Sequence, residues 1–341
     1  MEPGAATARR TLLRGIVFPS WVALFAVALV FASGLEIPDR LGWLQYAPFA
    51  ASLVLFGLPH GAADHLVPGR LTGGGAGSIL AVVALYLALG GAYLALWTVA
   101  PLASFALFVA VTWFHWGQGD IYSSRALLGV GGLPVAAGLL VRGGLPMFVP
   151  LLAFPEVYAG VGESLVGLFG GEYPEPPPGG LSLALRLCGG LGMLILAGVY
   201  LRGVYRRAGR RALAAEAGEV ALLALYFASV PPILAIGLYF CLWHSPRHIA
   251  RLLLLDRPAI SALESGKLLP ALRRFARDAA PLTLAALGLL AALYLYVPDG
   301  PGGADGLLAG YLVLISALTL PHVALVTWMD HRQDVWSVDS A

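Results

Sequence analysis

The chain has 341 residues, of which 59% are hydrophobic and 12% are charged, with a formal net charge of +2. Soluble domains usually carry about 25% charged residues, so this composition argues against a soluble protein and favours a membrane-embedded one. The sequence has no basic face with interleaved exposed aromatic residues, which excludes nucleic-acid binding. Cys188 and Cys241 match neither disulfide nor metal-site spacing, and we interpret them as small buried hydrophobic residues.

Apolar segments of about the length needed to cross a membrane occur along the whole chain. They lie near residues 15–34, 44–66, 78–98, 101–120, 126–141, 181–201, 212–230, 232–255, 280–297 and 306–329. Residues 145–170 are apolar but interrupted by glycine and proline, which predicts a partial, re-entrant or interfacial helix. A proline-rich stretch between Glu172 and Gly180 predicts an exposed loop. The fold class is therefore all-α, a polytopic membrane bundle of about 8–10 transmembrane helices.

We predict a single membrane-embedded domain over residues 1–341. Residues 1–40 form an N-terminal arm and first span, residues 41–330 the catalytic helical bundle, and residues 331–341 a cytoplasmic tail. Three arginines precede the first apolar run, which resembles a signal peptide. Because no soluble segment follows, an uncleaved first span is the better interpretation.

The distribution of basic residues predicts that the N-terminus is cytoplasmic and that the protein lies in the inner (plasma) membrane. With this orientation the cytoplasmic segments contain Arg70, Arg125, the arginines of 202–211, and the basic residues of 267–277. The segments assigned to the outside are acidic, and Arg40 and Arg142 are their main basic exceptions. The second, fourth, eighth and tenth spans then run in the same direction.

Histidines occur in those four spans, at positions that predict a similar depth in the membrane. Six of the seven histidines lie in four short polar clusters, at His60/His65, His115, His244/His248 and His322. Polar groups at membrane depth are costly and tend to be functional, and imidazole is the commonest metal ligand. Helices of a bundle that deliver imidazoles at one depth can form a metal site. The seventh, His331, is interpreted as a surface residue.

His244 and His248 are four residues apart, which places both imidazoles on one helix face, where they can chelate one ion. Pro246 between them predicts a kink, and Arg247 needs a polar partner. The alternative is a pair of histidines at an interfacial helix end.

Two carboxylates lie near the other histidines. Asp64 follows His60 by one turn and Asp120 follows His115, and each can orient a metal-bound imidazole. His65 and His322 are possible additional ligands. A solvated turn is an equal alternative for His65, and a hydrogen-bonded core position is one for His322. Imidazole ligands suit iron, zinc, copper and nickel.

At these clusters the sequence resembles the Brp/Blh family of membrane-embedded β-carotene dioxygenases. The resemblance covers roughly residues 50 to 330 and is carried by Gly57-Leu58-Pro59-His60-Gly61 with Asp64-His65, Phe114-His115-Trp116-Gly117 with Asp120, Trp243-His244-Ser245-Pro246-Arg247-His248, and Pro321-His322. It implies a Fe²⁺ enzyme that splits the central double bond of β-carotene with O2 to give two retinal molecules. It further implies that the iron is held by His60, His115, His244 and His248.

Aromatic residues near these histidines are candidates to line a tunnel for an oily substrate, although packing is an equal explanation for most of them. They are Trp113, Phe114, Trp116, Tyr239, Phe240 and Trp243. The expected partners are β-carotene, O2 and membrane lipid.

The same residues allow the alternative functions to be compared with this one. A retinal-binding rhodopsin needs a lysine inside a helix, and the sole lysine, Lys267, lies in a basic loop between spans. A di-iron membrane hydroxylase or desaturase uses more histidines in tight boxes, and a b-type haem carrier needs two axial histidines on facing helices. A transporter with Asp64 and His65 as a proton or ion relay is the non-enzymatic alternative.

Overall fold

The computed structural model describes residues 3–34, 41–174, 181–296 and 303–336, and these are folded into α-helices without a β-strand. The helices are numbered here in chain order. They are α1 (Pro3–Ala32), α2 (Ala47–Leu55), α3 (Gly57–Ala62), α4 (Val67–Thr72), α5 (Ala76–Val99), α6 (Pro101–Ala126), α7 (Val135–Ala153), α8 (Pro155–Gly167), α9 (Leu183–Ser229), α10 (Pro232–Tyr239), α11 (Ser245–Leu253), α12 (Arg257–Glu264), α13 (Leu268–Tyr296) and α14 (Gly303–Arg332).

Six helices in the described part of the chain are long and apolar enough to cross a membrane. They are α1, α5, α7, α9, α13 and α14. Helix α9 is broken at Gly209, whose φ of 81° is accessible mainly to glycine. Each side of the break keeps roughly 20 residues or more, which is enough for a span. The all-α polytopic membrane fold is therefore confirmed.

The span expected at 126–141 begins and ends later in the structure, where the helix is α7. Residues 127–134 form a turn with positive φ at Gly129 and Gly132, and the helix begins only at Val135. This helix continues to Ala153, so much of the segment expected to be broken is regular. Prolines are tolerated inside membrane helices where neighbouring groups satisfy the freed carbonyls, and the chain breaks only before Pro155.

Three segments that contain or adjoin basic residues meet at one end of the bundle. Arg9, near the start of α1, donates to the Leu127 carbonyl just after α6, with N···O 2.7 Å. Thr11 donates to the Leu263 carbonyl at the end of α12, with O···O 3.1 Å. The N-terminus, the segment after α6 and the connection from α12 to α13 therefore share one end.

Helices α6 and α7 cross closely because glycines form the contact, as is common between membrane helices. A Cβ atom on Gly117 would lie 2.5 Å from the Leu139 carbonyl oxygen, and one on Gly143 would overlap the carbonyl oxygen of Trp113. Both obstacles are backbone atoms, which a side-chain rotation cannot move. This crossing positions the His115 segment of α6 in the bundle interior.

We expect Gly143→Ala to lower the free energy of unfolding by about 1–3 kcal/mol, because the added methyl forces α6 and α7 apart. Thermal unfolding in detergent measures the loss. Gly192→Ala is the matched control, since a Cβ there meets nothing within 4 Å and alanine favours a helix. Equal melting temperatures for the two variants would contradict this account of the crossing.

Candidate metal centre

Five imidazoles from four segments of the chain meet in the interior of the bundle. They belong to His60 of α3, His115 of α6, His244 and His248 on either side of the start of α11, and His322 of α14. Ring centroids are 4.7 Å apart for His115 and His322, 4.9 Å for His248 and His322, and 5.1 Å for His60 and His322. Each of the five side chains is buried. The rings are close enough to share one ion.

A π-helical turn joins α10 to α11 and brings His244 into this cluster. In that turn the Ser245 N–H donates to the Phe240 carbonyl, five residues back rather than four. Pro246 has no N–H to donate, and it lies in the first turn of α11, where a helix needs no such donor. The kink expected at this residue stays a prediction. Turns of the π-helical kind often occur at functional sites. The ring of His244 lies 4.9 Å from that of His115.

Three of the histidines are oriented by hydrogen bonds from Nδ1. His60 Nδ1 donates to the carbonyl of Gly57, one turn earlier in α3. His115 Nδ1 donates to Gln118 Oε1 at 3.2 Å. When Nδ1 carries the proton, Nε2 is the atom left to bind a metal.

The third oriented histidine is His322, and its partner is a carboxylate. Asp64 Oδ2 accepts a hydrogen bond from His322 Nδ1 at 2.6 Å and a second from the Tyr86 hydroxyl at 2.5 Å. A carboxylate behind an imidazole is a common way to fix a metal ligand. The sequence predicted that Asp64 orients a metal-bound imidazole but placed it beside His60, whereas its partner in the structure is His322. Tyr86 was missed, and the available signal was a tyrosine in the middle of an apolar span.

The Nε2 atoms of four of these rings have no hydrogen-bond partner within the described residues. They are the Nε2 atoms of His115, His244, His248 and His322. A buried polar atom without a partner is rare in folded proteins and calls for an explanation. A metal cation is the common partner of such imidazoles, so the donor set fits a metal.

The possible ligand atoms form two overlapping groups, and within each group all atoms lie within 4.8 Å of one another. One is His60, His115 and His322, and the other is Asp64, His248 and His322. Because His322 belongs to both groups, we treat them as one site. These residues can hold a metal ion.

His65 and Asp120, both named from the sequence, do not make the contacts expected there. His65 is half-buried and its Nδ1 donates to the Ala62 carbonyl at 2.9 Å, beside the cluster. Asp120 does not face His115, whose Nδ1 is taken by Gln118. It accepts instead from the Trp243 indole at 2.9 Å.

Asp120 belongs to a buried ionic cluster next to the histidines. Arg142 lies at its centre and pairs with Glu219 at 2.7 Å, with Asp120 at 3.3 Å and with Glu216. The assignment of Arg142 to an external loop was therefore wrong. Its side chain is fully buried in α7, because an arginine at membrane depth is stable only with carboxylate partners. The two glutamates, three residues apart in a predicted span, were the signal that sequence reasoning missed.

The same ionic cluster holds the segment that connects His244 to His248. Arg247, between His244 and His248, donates to Glu219 at 2.6 Å. Its guanidinium also lies 3.5 Å from the centre of the Trp243 ring. These contacts provide the polar partner that Arg247 requires, and they fix the orientation of α11 beside α9.

A cavity of about 250 Å³ opens against the histidine rings and is lined mainly by apolar side chains. Of the aromatic residues named from the sequence, Trp116 and Phe240 line it. Tyr239 is fully buried behind Trp116, and Phe114 stacks on Trp336 near the surface. The other two, Trp113 and Trp243, donate hydrogen bonds to the Leu140 carbonyl and to Asp120.

Comparison with known proteins agrees with this architecture. The family model for beta-carotene 15,15'-dioxygenase matches residues 51–330, which include all five histidines of the cluster. The chain belongs to this family. No solved structure matches the chain.

Individual relatives extend the similarity over nearly the whole chain. The chain is 44% identical over 348 residues to the probable beta-carotene 15,15'-dioxygenase Blh of Halobacterium salinarum, covering 98% of each protein. It is 32% identical over 342 residues to the probable beta-carotene 15,15'-dioxygenase Brp of the same species, covering 94% of this chain and 93% of the relative. It is also 23% identical over 284 residues to the beta-carotene 15,15'-dioxygenase of the uncultured marine bacterium 66A03, covering 82% of this chain.

Proposed function

We propose that the protein is a membrane-embedded, Fe²⁺-dependent dioxygenase that cleaves the central double bond of β-carotene with O2 to give two molecules of retinal. The observation that carries this proposal is the cluster of five buried imidazoles, four of which line an apolar cavity. Family membership supports the same reaction. The products balance without a co-reductant, because the two oxygen atoms of O2 become the two aldehyde oxygens.

The iron ligands we propose are His60, His115, His244 and His248, with His322 as a fifth. Asp64 and Gln118 would hold two of these rings through Nδ1. Neutral imidazoles suit iron. The iron would supply the activation of O2.

The protein's own part is to bind the polyene and to exclude water. The cavity beside the histidines presents Leu58, Phe108, Trp116 and Phe240, among other apolar side chains. A rigid hydrocarbon placed along these residues loses little further freedom, and a fixed position relative to the metal accounts for much of the rate enhancement in such reactions. Cleavage at one bond therefore depends on how the cavity positions the polyene.

We further propose that the protein lies in the inner (plasma) membrane with its N-terminus in the cytoplasm, surrounded by membrane lipid. The shared end formed by the N-terminus, the segment after α6 and the connection from α12 to α13 supports this orientation. The basic residues in or next to these segments are Arg9, Arg10, Arg14, Arg125, Lys267, Arg273, Arg274 and Arg277. Basic residues are enriched on the cytoplasmic side.

Expression in a β-carotene-producing host tests the proposed activity. We expect loss of the orange pigment together with formation of retinal, measured by chromatography. Purified protein should contain about one iron per chain. Unchanged pigment with well-inserted protein would reject the dioxygenase and favour a transporter with Asp64 and His65 as a relay. Two irons per chain would favour a di-iron hydroxylase.

A further inference from the structure

Two apolar cavities lie next to each other in the bundle. The first, of about 250 Å³, is lined by His60, His115, His244 and His322. The second, of about 100 Å³, lies between α6, α7, α8, α10 and α14, and no histidine of the described chain lines it. The linings share four residues, so a single layer of side chains separates the cavities. They are Phe108, Thr112, Trp116 and Phe240.

This shared layer extends from the histidines into the second cavity. Phe108, Thr112 and Trp116 follow one another at intervals of four residues, which places them on one face of α6. The Trp116 and Phe240 rings meet edge to face with centroids 5.5 Å apart, and Phe240 lies 5.8 Å from the His244 ring. The partition between the cavities is therefore aromatic and directly beside the proposed metal.

The sizes of the cavities suggest that a long ligand uses both. Sites for small molecules usually occupy about 300–1,000 Å³, and neither cavity alone reaches that range. A polyene cleaved at its centre must also extend from the reacting bond in two directions. The second cavity is lined by apolar residues such as Met147, Ile236 and Leu312, which suit a hydrocarbon end group.

We infer that the second cavity receives one half of the carotenoid and that the depth of this cavity determines which double bond lies against the histidines. Trp116 and Phe240 would flank the polyene where it passes from one cavity to the other. This inference rests on the proposed function, since it concerns the substrate of that reaction. It makes Ile236 and Met147 specificity-determining residues that do not contact the metal.

Ile236→Trp tests the inference by filling the second cavity. We expect this variant to cleave β-carotene at least tenfold more slowly, yet to cleave an apocarotenal shortened at one end within about threefold of the unmodified protein. Bound iron, measured by elemental analysis, should be unchanged. Ile195→Trp is the matched control, because Ile195 is 59% exposed on α9 and lines neither cavity.

Equal rates on β-carotene for the two tryptophan variants would overturn the inference, and so would an equal loss on both substrates with iron retained. If Ile236→Trp fails to fold, Met147→Ala provides the test of the inference, because this substitution lengthens the second cavity. We expect Met147→Ala to form unequal apocarotenals beside retinal, and an unchanged product spectrum would overturn the inference. Absence of retinal from the unmodified protein would instead reject the proposed function.

Discussion

We expect Arg142→Met to lower the free energy of unfolding by about 3–5 kcal/mol, the usual cost of removing one partner from a buried ionic cluster. Arg142 is fully buried and pairs with Asp120, Glu216 and Glu219. Without it, Arg247 still pairs with Asp120 and Glu219, but Glu216 loses its guanidinium partner. Thermal unfolding in detergent, together with the yield of folded protein, measures the effect.

Arg206→Met provides the control for this prediction, since it makes the same change at an exposed position of α9. We expect it to leave the melting temperature nearly unchanged. Adding Glu216→Gln to Arg142→Met should recover part of the stability, because one uncompensated buried carboxylate is removed. A single variant Arg142→Met as stable as the unmodified protein would contradict the structural role assigned to the cluster.

The second large effect is expected for His322→Ala. We expect this variant to lose most of its bound iron and to form retinal at least 100-fold more slowly. The physical reason is that His322 belongs to both groups of ligand atoms at the site and is held by Asp64. Asp64→Asn keeps the ring but weakens its orientation, and we expect a loss of about 10–100-fold in metal affinity or activity.

Iron content and initial rates on β-carotene test this prediction in the same preparations. His331→Ala is the matched control, because His331 is an exposed histidine in the last turn of the same helix, α14. If His322→Ala retained its iron and its activity, the ligand set would reduce to His60, His115, His244 and His248. Loss of iron with normal folding would establish the fifth imidazole.

Much of the site can be predicted from the sequence because membrane chemistry is restrictive. Few polar residues are tolerated at membrane depth, so the clusters around His60, His115 and His244 stand out from an apolar background. The spacing of His244 and His248 predicts a shared helix face, and the structure places both rings in the cluster. That these residues bind iron remains a prediction.

Which side chains contact one another was harder to predict, because these contacts depend on the packing of helices that are far apart in the sequence. Asp120 lies close to His115 in the sequence, yet it faces Arg142 and Trp243. Proximity along a helix does not determine which neighbouring helix a side chain meets. Arg142 was assigned to a loop because a charged residue lowers the hydropathy of its segment. In the structure three carboxylates stabilise it inside the bundle.

The sequence by itself determined the membrane character, the all-α class and the residues able to bind a metal, because hydrophobicity and ligand chemistry are properties of the residues themselves. The tertiary structure alone decided that His322 joins the cluster through Asp64 and Tyr86, and that a second cavity lies behind Trp116 and Phe240. Both features are made by several helices far apart in the chain, and their relative positions are set by packing rather than by any local pattern.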